Sequence, residues 1–302
     1  MSTSSPVANP DREHIGEAPN PLGLNGIEYI EYTTAQPQAL GQVLETLGFK
    51  PVARHRSREV LLYRQGAMNI VVNAHAGVLR GSAAADEGAP RLSALALRVR
   101  DARAAYRRAL ELGAWDLPNH AGVMELNIPG IHGPGGAHIY FVDRCDEFSI
   151  FDVDFKPIPG VDAHPPAVAG LHFFGIVQYI GRDRTDDWVE FYDRLMGFAR
   201  LPQEVRFGIL PKGTLLQSPC EGTARFFLQL IEPDAATLVY DEQELFHRIG
   251  FGTADVGAAV TMLRRQGVDF IDTDSLRVSS RGAITRNVLH SVVFELVHDP
   301  RP

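Results

Sequence analysis

One short pattern comes round four times in this chain: an alternating apolar strand, an amphipathic helix ended by glycine, and a short meander of further strands. In the first unit, Gly26-Ile-Glu-Tyr-Ile-Glu-Tyr32 alternates as a half-buried strand must, and Leu40, Val43, Leu44 and Leu47 follow at helical spacing before Gly48. Strands are predicted at Glu59–Tyr63 and Met68–Asn73, with Gln65-Gly66-Ala67 as their turn. The second unit runs from a strand at Leu92–Val99 into a helix entered at Asp101, carrying Tyr106, Ala109 and Leu110 and stopped at Gly113. Its last strand is Ala137–Val142. The third starts at Leu171, passes through a helix with Trp188, Phe191, Tyr192 and Leu195 to Gly197, and ends in strands Thr214–Gln217 and Ala224–Ile231. The fourth has a strand Phe246–Phe251, a helix from Asp255 with Val260 and Leu263, a stop at Gly267, and a closing strand Ser291–Val297.

The helix ends pair these units. Leu47-Gly48-Phe49 matches Met196-Gly197-Phe198, whereas Leu112-Gly113-Ala114 goes with Gln266-Gly267-Val268, so the units group as one-two and three-four. Between the pairs, Lys156–Pro166 holds four prolines and one glycine, the composition of an extended linker. The expected organisation is a disordered tail over residues 1–22, a first domain over 23–155, a linker over 156–166, and a second domain over 167–302 that carries the candidate site.

Composition removes several function classes. A net charge of −8 does not suit a nucleic-acid binder, and Arg54, Arg56 and Arg58 read as one solvated strand face. No apolar run approaches the roughly 20 residues of a membrane span, and no leader is visible. Two cysteines, Cys145 and Cys220, are too few for a disulfide framework, which fits the cytoplasm. Gly133-Pro-Gly-Gly136 lacks the Lys-Ser/Thr of a phosphate loop, Ser218 and Cys220 have no base nearby in sequence, and His132 and His138 read as structural.

Paired units of this kind resemble the vicinal-oxygen-chelate superfamily. Sharper still, Val52-Ala-Arg-His-Arg-Ser57, Leu62-Tyr-Arg-Gln-Gly66, Met124-Glu-Leu-Asn-Ile-Pro129, Ile139-Tyr-Phe-Val-Asp-Arg144 and Ser149-Ile-Phe-Asp-Val-Asp-Phe155 resemble the N-terminal domain and linker of the 4-hydroxyphenylpyruvate dioxygenase family. The likeness is strong over residues 23–165 and weaker to Val297. It implies an α+β fold of two vicinal-oxygen-chelate domains, each made of two βαβββ modules forming a curled, open-barrel mixed sheet. It also implies a non-haem Fe(II) centre in the C-terminal cup, held by two histidines and a glutamate, with a 2-oxo acid and dioxygen on the open positions.

Carried over by motif, the glutamate is Glu295 in Phe294-Glu-Leu-Val297; His247 is the candidate for the second ligand, and His172, the only histidine on its strand, for the first, although counting back from Trp188 points to Phe174 or Gly175. The match is out of step at the second place: counting seven residues back from Asp255 gives Arg248, and His247 precedes it. A one-residue slip turns a side chain to the other face of a strand unless a bulge restores it. Ser218 and Gln229 fall near places where the family puts polar substrate contacts, Arg286 and Asn287 lie in Thr285-Arg-Asn-Val288, which resembles the family's segment there, and Arg248 at the former ligand place is a further substrate-binding candidate, while Gly282 stands near an expected glutamine.

Three functions are compatible with this pattern. The first is an oxidoreductase, a ferrous dioxygenase acting on an aromatic 2-oxo acid or related phenolic acid. The second is a metal-free binding or lyase-like protein in which Arg248 holds a carboxylate by a bidentate contact. The third is a noncatalytic scaffold. A small-molecule partner and a possible homo-oligomer are expected, with no nucleic acid and no membrane.

Overall fold

The computed structural model describes residues 20–75, 88–118, 126–145, 147–209, 213–233, 244–273 and 277–301. In its first half, β1 (Ile27–Thr33), α1 (Pro37–Thr46), β2 (Lys50–His55), β3 (Val60–Gln65) and β4 (Met68–Asn73) are followed by β5 (Arg91–Arg98), α2 (Ala102–Glu111), β6 (Gly130–His132) and β7 (His138–Val142). A short helix α3 (Ile150–Asp154) and strand β8 (Phe155–Pro157) complete it. The second half repeats the plan with β9 (His172–Tyr179), α4 (Thr185–Met196), β10 (Ala199–Arg200), β11 (Thr214–Gln217) and β12 (Phe227–Ile231). It continues with β13 (Leu245–Thr253), α5 (Val256–Arg265), β14 (Gly282–Ile284) and β15 (Phe294–His298).

The two sheets are one design used twice. Their strand orders are β6-β7-β5-β1-β4-β3-β2-β8 and, read the same way round, β14-β15-β13-β9-β12-β11-β10. Each pairing sense is shared: β1 runs parallel to β4 as β9 does to β12, β1 is antiparallel to β5 as β9 is to β13, and β5 is parallel to β7 as β13 is to β15. The central antiparallel pair is irregular in both sheets, with register shifts in β1/β5 and in β9/β13.

Local chemistry sets the helix ends. Asp101 accepts from the Ala104 backbone N–H at 2.8 Å and Asp255 from that of Ala258 at 2.9 Å, each supplying an acceptor to an otherwise unpaired first-turn amide. Gly197 closes α4 with φ of 76°, the left-handed conformation that suits glycine.

One face of each sheet, with its helices, contributes to a single continuous core. Leu40, Leu44, Phe49, Ile70 and Ile139 from the first half share it with Tyr192, Met196, Phe251, Leu263 and Phe294 from the second. Phe49 and Phe251 meet across the halves with ring centroids 6.0 Å apart. Gln65, fully buried, ties the junction: its Nε2 donates to the Leu47 carbonyl at 2.9 Å, and its Oε1 accepts from the Val168 N–H at 3.0 Å. The opposite faces carry two smaller clusters, around Tyr29, Leu62 and Phe151 in the first sheet and Phe174, Phe227 and Val297 in the second.

Several boundaries differ from the sequence reading. The tail expected to run to residue 22 already packs at Leu22, and Asn20 bonds the Leu24 backbone through both ends of its side chain; residues 1–19 lie outside the described set. The linker begins as β8, an edge strand on β2, where Pro157 needs no outward N–H. The Ala224–Ile231 strand starts only at Phe227 because Gly222–Ala224 forms a 3-10 turn, and Ser291–Val293 belongs to a hairpin closed by the Val288–Val292 bridge. Arg54 and Arg56 are exposed, but Arg58, beyond the end of β2, is half-buried and its charge acts on the Glu31 carboxyl, so the three do not make one solvated strand face. Among the described residues no helix is long and apolar enough to cross a membrane.

Replacing Gln65 with Ala should strand the buried Leu47 carbonyl and the half-buried Val168 N–H at once, and is expected to cost about 2–4 kcal/mol in urea unfolding. Arg54→Ala, at an exposed site, should stay within about 0.5 kcal/mol and serves as the control.

Candidate active site in the C-terminal cup

The site is shaped by one extra residue. Across the β13/β9 pair, Phe246 stands opposite Gln178 and Arg248 opposite Val177, so His247 is the residue out of register. Gln178 points to the helix layer, where its Oε1 accepts from the Tyr192 hydroxyl at 2.7 Å. Tyr179 therefore points the other way, into the cup, and the His247 ring stacks on it with centroids 4.2 Å apart and planes 15° apart. The bulge thus turns both His247 and Arg248 to the cup face, which strict alternation forbids.

Arg248 meets the carboxylate expected from sequence. Its Nε donates to Glu295 Oε2 at 3.1 Å, and the two side chains are only 3% and 5% exposed. Burial pushes the Glu295 carboxyl above its usual range, and the Arg248 charge and the Ile209 backbone N–H pull it back. The loop after β10 presses on the same group: a Cβ at Gly208 would collide with Glu295 Oε1. Among the described residues, Arg248 Nη2 and His247 Nδ1 are both buried with no hydrogen-bond partner. His247 is depressed to about 4 by burial and, after that, by the neighbouring Arg248 charge, so its ring is neutral near pH 7.

His172 belongs to a different construction. It lies opposite Gly252, four residues from Arg248 and so roughly 13 Å along the strand. Its Nε2 is 3.0 Å from Asp299 Oδ2 and its Nδ1 3.2 Å from the Gly170 carbonyl. Asp299 also accepts from Arg301 Nε at 2.7 Å. Burial alone would raise the Asp299 carboxyl, but bonds from Arg301 and His172 carry it below its usual range. The Arg301 guanidinium covers the rings of Phe174 and Phe227 at 6.0 and 5.7 Å. Phe207 joins those two rings at 5.0 and 4.7 Å, so an aromatic cluster stands in the cup between the His172 end and the Arg248 end.

This donor set does not fit a ferrous ion. Three ligands must each lie about 2 Å from one point. Here Glu295 is held by a guanidinium, whose fixed charge repels a cation, and His172 is turned to Asp299 at the far end of the cup. Among the described residues no three His, Cys, Asp or Glu side chains gather as a metal-binding group. Of the three candidate ligands, then, only His247 and Glu295 reach the same part of the cup. In register with Glu295 across β13 stands Gly175, where a Cβ would run into the Phe227 carbonyl, so no imidazole can project from that place.

The other sequence candidates divide. Gln229 is in register with Val177, and through it with Arg248, making one row across the cup floor. Ser218 is instead engaged in the β11–β12 connection, where its Oγ accepts from the Phe226 N–H at 3.0 Å. Arg286 and Asn287 are exposed at the hairpin before β15, with Asn287 Nδ2 donating to the His290 carbonyl at 3.0 Å, and neither joins the cup. Sequence reasoning missed Tyr179, Phe207, Asp299 and Arg301. Only the period-two relation of Asp299 to Glu295 and Val297 could have flagged any of them.

Comparison with known proteins agrees with this architecture. Residues 18–156 match the family model for the N-terminal domain of hydroxyphenylpyruvate dioxygenase. A 4-hydroxyphenylpyruvate dioxygenase from Pseudomonas sp. strain P.J. 874 is 43% identical over 184 residues, 60% of this chain and about half, 51%, of that protein. The enzyme of the same name from Pseudomonas aeruginosa is 34% identical over 85% of this chain and 74% of its own length. Among solved structures, a variant of 4-hydroxymandelate synthase from Streptomyces coelicolor has the same fold, with a TM-score of 0.70 and 18% identity, covering 92% of this chain and 93% of that one. With its duplicated, curled sheet and these relatives, the chain belongs to the 4-hydroxyphenylpyruvate dioxygenase family, a family of oxidoreductases built on paired vicinal-oxygen-chelate domains.

Proposed function

We propose that this chain is an iron-independent member of the family, whose C-terminal cup takes a small organic acid without a ferrous centre. The observation that carries the reading is the buried Arg248–Glu295 pair. In an iron-dependent cup a carboxylate gives its lone pairs to a divalent cation that also attracts the anionic substrate. In this chain a guanidinium stands in that position: it neutralises Glu295, and its Nη2 remains a donor with no partner among the described residues, open to a ligand oxygen. It has no vacant orbital to take a ligand's lone pair and no second oxidation state, so it cannot activate dioxygen. The family's oxidative chemistry on an aromatic 2-oxo acid, with His172, His247 and Glu295 on Fe(II), would need Arg248 to leave Glu295. It would also need His172 to exchange Asp299 for a place beyond the Phe174 cluster.

Anaerobic ferrous titration, followed by desalting and metal analysis, should leave well under one iron per chain. Added 4-hydroxyphenylpyruvate should cause no oxygen uptake above the protein-free rate. About one retained iron per chain together with substrate-dependent oxygen uptake would restore the dioxygenase reading.

The pair itself predicts a pH effect. Arg248→Met leaves Glu295 buried without compensation and should cost about 3–5 kcal/mol near neutral pH. With its partner gone, the folded-state pKa of Glu295 lies further above the unfolded value, so the folded variant prefers the protonated form. Its stability should therefore fall as pH rises from about 5 to 8 in urea titrations. The double variant Arg248→Met/Glu295→Leu should recover most of the loss and show no such slope.

A further inference from the structure

Two buried polar atoms in the cup have no partner among the described residues, and they sit on consecutive residues that the β13 bulge turns to one face: Arg248 Nη2 and His247 Nδ1. Such atoms cost stability unless something meets them. Their chemistry is complementary and not alike. Arg248 can only donate. With the ring proton on Nε2, Nδ1 presents its lone pair and no buried N–H is left there without an acceptor. The next cup-facing residue beside Arg248 is Gly250, where an added Cβ would meet nothing closer than 3.6 Å, while the Phe227 carbonyl lies over Gly175 opposite it, and the rings of Phe174, Phe207 and Phe227 stand beyond.

Resting on the iron-independent reading above, we propose that the cup binds a small 2-hydroxy carboxylate: its carboxylate accepts from Arg248 Nη2, and its hydroxyl donates to His247 Nδ1. A 2-oxo acid offers only acceptors, so it satisfies the guanidinium and leaves the imidazole lone pair unmet. An unsubstituted carboxylate does the same. A hydroxy amide meets the imidazole but brings no charge to the arginine. The stack on Tyr179 fixes the imidazole plane, which makes the distinction one of geometry and not only of polarity.

The test is calorimetric titration of the full chain in EDTA with four probes of one skeleton: 3-phenyllactate, phenylpyruvate, 3-phenylpropionate and 3-phenyllactamide. Phenyllactate should bind at least tenfold tighter than phenylpyruvate or phenylpropionate, and phenyllactamide should not bind measurably. His247→Phe keeps a ring on Tyr179 and removes the acceptor, so it should bring phenyllactate to the affinity of phenylpropionate. Arg248→Met should abolish binding of all the acids. If that variant fails to fold, Arg248→Met/Glu295→Leu replaces it. Equal binding of the hydroxy and oxo acids, binding of the amide comparable to that of the acid, or an unchanged His247→Phe profile overturns the proposal. Binding that occurs only after ferrous ion is added overturns the iron-independent reading instead.

Discussion

A guanidinium buried to this degree must have a carboxylate beside it, and much of the C-terminal cup is arranged around that requirement. Arg248 and Glu295 come from neighbouring parallel strands, β13 and β15, so the sheet itself brings them together. The loop after β10 then closes on the pair, with Gly208 against the carboxylate and Phe207 turned into the aromatic cluster. At the other end, Asp299 gathers His172 and Arg301 and draws the last described residues over Phe174 and Phe227. Two ionic clusters with three rings between them leave little of a metal-binding cup, although the backbone that would frame one is intact.

The architecture was readable in the amino-acid order because it is written four times over. Strand Met68–Asn73 and strand Thr214–Gln217 have the bounds their patterns suggested, and the aspartates before α2 and α5 are side-chain caps. What pattern could not reveal is made by register and by short, irregular pieces. β2, β6, β8, β10 and β14 are too short or too interrupted to show a period, and they exist because longer neighbours offer them an open edge. Alternation said that His247 and Arg248 face opposite sides; a bulge, which no residue type announces, sets them side by side.

The site was legible only in part for a related reason. Glu295 sits where its motif placed it, and Gln229 and Arg248 share the cup floor. His172 is the sole histidine on its strand, but being on the right strand says nothing of height along it, and four residues of height separate the two ends of this cup. Ser218 and Arg286 were placed by likeness alone. The family model matches residues 18–156, in the sheet that lacks this cup, so that match speaks for the scaffold and says little about the chemistry.

The two sheets give their helix-bearing faces to one interior, and Gln65 fastens them at the backbone. Ancestral copies able to stand alone would each have had a finished back; here the back of each is completed by the other. A chain cut at the junction would yield two fragments with bare greasy sides, prone to clump, and neither would be a smaller version of the whole. Duplication has in this sense become irreversible: the twin sheets have drifted apart in what their cups hold while losing the freedom to separate.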